Sequence, residues 1–159
     1  MKALHLACRL YGCFEKLAAA LQPLFALVAR IYIARVFFLS GLTKIRNWDG
    51  TLYLFREEYH VPVLPPEVAA VGGAAGELIL PILLVLGLGG RFAAAGLFIL
   101  NAVAVISYPG LEAIMIKDHV LWGVLLAYLL VHGPNRWSLD NAIKCRQHCK
   151  TPTPPTEAA

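Results

Sequence analysis

Four long stretches of this chain are apolar on consecutive positions rather than on alternate ones. Alternation over about ten residues would mark the strands of a membrane barrel. Unbroken apolar runs approaching about 20 residues mark helices that cross a bilayer. The first run extends from about Leu17 to Leu42 and is interrupted only by Arg30 and Arg35. The second, from about Glu67 to Leu88, carries Glu77 inside it. The third runs from about Arg91 to Tyr108 with no charge after its first residue. The fourth, His119 to His132, is short. It reaches a spanning length by starting near Ile114 and placing Lys117 and Asp118 in the interface; otherwise it is a buried or re-entrant segment.

Details within the runs fit a membrane. Gly72, Gly73 and Gly76 would weaken a soluble helix, but small residues let membrane helices approach closely. Pro81 is expected to kink the second span, with neighbouring groups satisfying the freed carbonyl. Between the first two spans, Trp48 to Tyr59 has the pattern of a short amphipathic helix on the membrane surface, able to cap a pocket between helices. Lys44, Trp48, Tyr53 and Tyr59 read there as interface anchors.

Composition agrees. The 159 residues are 58% hydrophobic and 15% charged, against about half and a quarter in soluble domains. The expectation is an all-α fold, a polytopic membrane four-helix bundle occupying residues 17–143. An N-terminal extension, 1–16, precedes it, and a Pro- and Thr-rich tail, 144–159, follows and is expected to be disordered at its end. The extension carries Lys2, Arg9, Glu15 and Lys16 with no apolar core of signal-peptide length, so the first span reads as an uncleaved anchor. Ala7-Cys8 only faintly suggests a lipoprotein site, because His5 stands where an aliphatic residue is wanted.

The net charge of +4 does not call for a nucleic acid partner, because basic residues hold membrane loops on the cytoplasmic side. With four spans, Lys2, Arg9, Lys16, Arg91, Arg136, Lys144, Arg146 and Lys150 share one side. Lys44, Arg46, Arg56 and Lys117 share the other. The heavier side, with both termini, is expected to be cytoplasmic, in a bacterial inner membrane. That places Cys8, Cys13, Cys145 and Cys149 where structural disulfides are rare. Reduced thiols, a redox-exchanging pair and a zinc set with His5 or His148 all remain open.

Several stretches together resemble the DoxX family of small bacterial membrane proteins. One is Arg35, Gly41 and Lys44 in an R-x5-G-x2-K arrangement across the end of span one. Another is FREEYHVPVLPPEVAA leading to Glu77, continued by GELILPILLVLGLGGRFAA. The last is DHVLWG followed by HGPNRWSLD. Their order and spacing carry the resemblance, over roughly residues 28–143; the cysteine-bearing extension and tail depart from it and inherit nothing. It implies a four-helix inner-membrane protein. The family takes its name from a subunit of a thiosulfate:quinone oxidoreductase, so it raises a quinone as ligand and a redox partner subunit as companion.

Candidate chemistry lies in the intramembrane polar residues, since an ionised group there is costly and normally has a partner or a function. Glu77 is about halfway through its span. Arg30 and Arg35 point roughly 140° apart, and Arg35 is the expected partner of Glu77. Glu77 and His119 are candidates for proton exchange. Arg35, Asn101, Trp122 and Lys44 are candidates for binding, with His119 and Trp122 able to flank a flat ring. No metal site, haem or flavin motif, phosphate loop or hydrolase triad is evident, and no cofactor other than a quinone is suggested. Two classes of function remain: a quinone-linked redox subunit acting with a partner oxidoreductase, or a non-catalytic scaffold or assembly protein, with homo-oligomers open to either. A transporter is a weaker third.

Overall fold

In the computed structural model of this chain, residues 2–110, 112–133, 138–141 and 143 are described. Five helices follow one another: α1 (Lys2–Arg46), α2 (Trp48–Glu57), α3 (Pro66–Leu86), α4 (Gly90–Ser107) and α5 (Ala113–His132). α1, α3, α4 and α5 are each long and apolar enough to cross a membrane. α5 begins at Ala113 and so reaches full spanning length, as the Ile114 start requires. α2 is the short amphipathic helix expected after span one; it buries Thr51 and Phe55 on one face.

The connections follow local chemistry. Asn47 caps α2 by accepting a hydrogen bond from Gly50 N at 3.2 Å. Thr51 Oγ1 donates towards Lys44 O and Asn47 O, both 3.0 Å away, and so folds α2 back against the end of α1. α3 opens with Pro66, whose missing N–H costs nothing at a helix start, and continues unbroken through the buried Pro81. The turn into α4 needs two left-handed residues, supplied by Gly87 (φ 66°) and Gly89 (φ 54°).

The core is built from Ala26, Ala29, Ile33 and Phe37 of α1, Leu84 of α3, Ala93, Ala94 and Leu97 of α4, and Leu126 and Leu129 of α5. Outward-facing positions such as Ile79, Ile82, Phe92, Ile99 and Val124 are apolar and exposed, as a lipid-facing surface requires. Small residues set the helix spacing, in part as expected. A Cβ on Gly76 would stand 2.7 Å from Leu100 Cδ1, whereas Gly72 faces open space.

The end of the bundle at which α1 enters is closed by polar contacts to backbone. Arg30, 2% exposed, donates from Nη2 to Gly133 O at 3.3 Å. The Asp140 carboxylate accepts from Gly89 N (3.1 Å) and Gly90 N (3.2 Å), capping α4 with a negative charge. Asp140 N donates to Gly87 O at 3.2 Å, which docks the last described segment. The opposite end carries α2.

The N-terminal extension and span one are one continuous helix. α1 is 45 residues long, about 67 Å at 1.5 Å per residue. Its first ring contact with another helix is Phe25 against Tyr128 of α5, 5.5 Å between centroids. The preceding residues project beyond the bundle.

Candidate functional site

Glu77 sits midway along α3, and its partner is Lys44. Lys44 Nζ donates to Glu77 Oε2 at 2.6 Å and to Ser40 Oγ at 3.0 Å. This corrects the expectation that Arg35 pairs with Glu77. Gly41 brings α1 and α3 together at this level, since a Cβ there would lie 3.1 Å from Glu77 Cβ. Lys44 is three residues on, on the same face of α1. Arg35 is nine residues from Lys44, about two and a half turns, and therefore on the opposite face. It is exposed and lines a shallow apolar groove with Ile31, Phe38, Ile82 and Val85. No hydrogen bond or ion pair of Arg35 falls among the described residues.

The Lys44–Glu77 pair borders a cavity of about 340 Å³ between α2, the loop after it, α3 and α4. Most of its wall is apolar: Phe55, Val68, Ile99, Leu100 and Val103 among others. The polar groups on it are Lys44, Glu77, Tyr59 and Ser107. Ser107 is fully buried, and its Oγ has no hydrogen-bond partner among the described residues. A buried hydroxyl without a partner is costly.

Tyr59 stacks between Phe55 (4.8 Å) and Tyr108 (5.2 Å). Burial raises its phenol pKa, and the Glu77 carboxylate raises it further, so it stays protonated as a donor. Lys44, Phe55 and Tyr59 also line a second cavity of about 440 Å³ on the other side of α2, together with Thr43, Asn47 and Tyr53. The three residues thus form a wall between two hollows.

The remaining candidates lie elsewhere. Asn101 is buried on α4 and its Nδ2 donates to His119 O at 2.9 Å, a bond across helices of the kind polar membrane residues make. Its Oδ1 has no partner among the described residues. His119 and Trp122 do share a face of α5, 4.8 Å between ring centroids. Trp122 packs edge-on against Phe37 and donates to Tyr32 OH at 3.4 Å. The His119 Nδ1 lies 2.9 Å from Met115 O. A carbonyl only accepts, so Nδ1 is the donor in this contact. His119 does not line the cavity beside Glu77, so the two proton-exchange candidates stand in separate places.

Cys8 and Cys13 are free and exposed. Cys145, His148 and Cys149, and with them the zinc and thiol-pair readings, fall outside the described residues, as does the tail from 144. Two contributors do not stand out in the sequence. Tyr59 reads as an interface anchor at the end of a segment able to cap a pocket, and Ser107 is an inconspicuous hydroxyl at the end of an apolar run. The loop FREEYHVPVLPPEVAA was the available signal for Tyr59.

Four spanning helices, a surface helix packed over one end and an ion pair set into an apolar wall define a small polytopic membrane protein with a polar site near one face. The chain belongs to the DoxX family, whose model matches residues 25–110. It is also 31% identical over 127 residues, covering 74% of this chain and 82% of the relative, to an uncharacterized protein of Haemophilus influenzae. No solved structure matches it.

Proposed function

We propose that this chain is a membrane subunit that binds the head group of a membrane quinone in the cavity beside Lys44 and Glu77, and works with a partner oxidoreductase. The observation that carries the reading is the wall of that cavity. A volume near 340 Å³ is at the small end of ligand sites and suits one ring rather than a large molecule. Its apolar surface suits a ligand drawn from the bilayer. Its polar groups suit a ring bearing two carbonyl oxygens, and the Ser107 hydroxyl, which has no partner among the described residues, is one that such an oxygen would satisfy.

When bound, a quinone supplies two-electron, two-proton redox chemistry, with the electrons coming from the partner. The protein's share is binding and proton handling. Lys44 presents an ammonium as hydrogen-bond donor and stands in the place beside Glu77 that was expected for Arg35. Glu77 offers a carboxylate able to accept and return a proton. Tyr59, held protonated, donates and closes the side towards α2. The excess of basic residues on the side of the termini supports a cytoplasmic placement of that face in a bacterial inner membrane, and with it a cavity near the outer face.

The competing reading, a scaffold or assembly protein, draws on Lys44 and Glu77 satisfying each other and on Arg30 and Asn101 bonding to backbone. Quinone content separates the two. Protein purified in mild detergent is extracted and its quinone measured by mass spectrometry, wild type beside Glu77→Gln. Near-stoichiometric quinone in the wild type and depletion in the variant is the expected result. No enrichment over a control membrane protein in either form would overturn the proposal in favour of the scaffold.

A further inference from the structure

α1 continues well past the bundle, and the surface it presents there is patterned. Between His5 and Phe25 no described residue is buried. Leu10, Phe14 and Leu17 are 64%, 66% and 59% exposed. Leu10 lies about 24 Å along the helix before Ala26, where burial in the bundle begins. α3, at 21 residues, already spans about 31 Å, the whole hydrocarbon core, and the headgroup layer adds only about 5–8 Å on each side. Lipid tails therefore do not cover Leu10 or Phe14 while α1 stays straight.

The spacing of these residues is regular. From Leu10 onward, large apolar side chains recur at Phe14, Leu17, Leu21 and Leu24, in steps of four and three, and then at Val28 and Ile31. All seven are exposed. This is a heptad seam, with Phe14, Leu21 and Val28 at its a positions and Leu10, Leu17, Leu24 and Ile31 at d. The seam ends where Arg35 takes the next a position. Arg9, Glu15 and Lys16 of the projecting part fall at b or c, away from it. The same b, c and f stripe faces the bundle further on, where Ala26, Ala29, Arg30 and Ile33 are buried. One side of α1 is thus committed to its own fold, and the other is apolar along its whole exposed length.

We infer that this seam pairs with the seam of a second copy, as a parallel two-helix coiled coil that begins outside the bilayer and runs into it. A second copy is the partner the pattern selects. Two copies inserted in one membrane share an orientation, so their α1 helices run parallel and identical residues meet at equal height. That is the register in which a and d residues interlock. Outside the bilayer, pairing removes Leu10, Phe14 and Leu17 from water, and this burial drives it. Inside, the same contact replaces lipid and adds only packing.

Single-cysteine cross-linking in native membranes tests this. The full chain has Cys8, Cys13, Cys145 and Cys149 replaced by serine, and a cysteine is added at Leu10, Leu17, Arg9 or Lys16. Leu10→Cys and Leu17→Cys are expected to give disulfide-linked dimers under mild oxidation several-fold more readily than Arg9→Cys and Lys16→Cys, because a disulfide needs Cβ atoms about 3.5–4.5 Å apart. No dimer at Leu10 and Leu17, as when the segment folds onto the lipid surface, or equal yields at all four sites, would overturn the inference. Leu17→Glu supplies a second readout. Its mass in detergent should fall to half that of the wild type at unchanged helix content, and an unchanged dimer mass would refute the pairing.

Discussion

Removing one half of the Lys44–Glu77 pair should cost more than removing both. The charges are 2.6 Å apart, with side chains only 19% and 14% exposed. At an effective dielectric near 20 the attraction across that distance is about 6 kcal/mol. Desolvation of the two ions cancels much of it, so the net value of the pair is small. Lys44→Met leaves the Glu77 carboxylate alone against an apolar wall, and Glu77→Leu leaves the Lys44 ammonium so. An uncompensated buried charge costs about 3–5 kcal/mol, and partial exposure places each single change here nearer 2–3 kcal/mol. The double variant strands no charge and should lie within about 1 kcal/mol of the wild type. The assay is reversible unfolding in mixed micelles for the four proteins of this cycle, at one pH and ionic strength. Additive losses in the double variant would refute the reasoning, because they would mean that the two groups act independently. Single variants as stable as the wild type would refute it as well, by placing both charges in water.

Two further outcomes follow from the geometry. Gly87→Ala puts a side chain on a residue with φ 66° and a Cβ 2.5 Å from Ser138 Cβ and 2.9 Å from Ser138 Cα; the left-handed backbone alone costs about 1 kcal/mol, and the clash should release the segment around Asp140, seen as a lower melting temperature and faster proteolysis after Gly133. Tyr59, with its pKa raised by burial and by Glu77, contributes stability that is complete below the ordinary phenol value of about 10 and is lost as pH rises through the higher folded value. Tyr108 is raised as well, by its hydrogen bond to Glu58, so tyrosinate absorbance should show late-titrating phenols of which Tyr59→Phe removes one, and no difference between the two titrations would refute that assignment.

The spans were legible because lipid imposes a length and a composition, and nothing else in the chain satisfies both. Their ends agree with the sequence reading to within a few residues at α3, α4 and the end of α5. The pairing inside them was not legible to the same degree. Arg35 lies near the middle of the first apolar run, but α1 extends from Lys2, and the middle of that run is not the level at which it meets α3. Gly41 marks that level, and it stood in the quoted R-x5-G-x2-K arrangement between the wrong partner and the right one. Rotation then decides: Lys44 shares the face of Gly41 and Arg35 does not. Asn101 reads from the sequence as a candidate for binding; its partner in the fold, a backbone carbonyl on α5, has no signature in side-chain sequence. Asp140 stood in the quoted exit motif as a residue without a role, because its partners are N–H groups that only the folded turn presents.

The polar residues divide by what they satisfy. At the terminal end, Arg30 donates to Gly133 O, Arg91 donates to Val131 O at 3.4 Å, and Asp140 accepts from two glycine N–H groups. These bonds close helix ends, where backbone groups lack intrahelical partners, and they leave little free capacity for a ligand. At the α2 end the charged groups that line the cavity pair side chain to side chain, Lys44 with Glu77, and Ser107 Oγ has no partner among the described residues. A side-chain pair can exchange its partner for a ligand group without breaking a helix end. This difference, more than the presence of charge, separates the structural polar residues from those that can act. It also sets the expected pattern of substitution: changes at Arg30 or Asp140 should lower stability whatever is bound, whereas conservative changes at Glu77 and Lys44 should alter ligand content ahead of helix content. Loss of the fold in Glu77→Gln, measured by circular dichroism, would contradict that division.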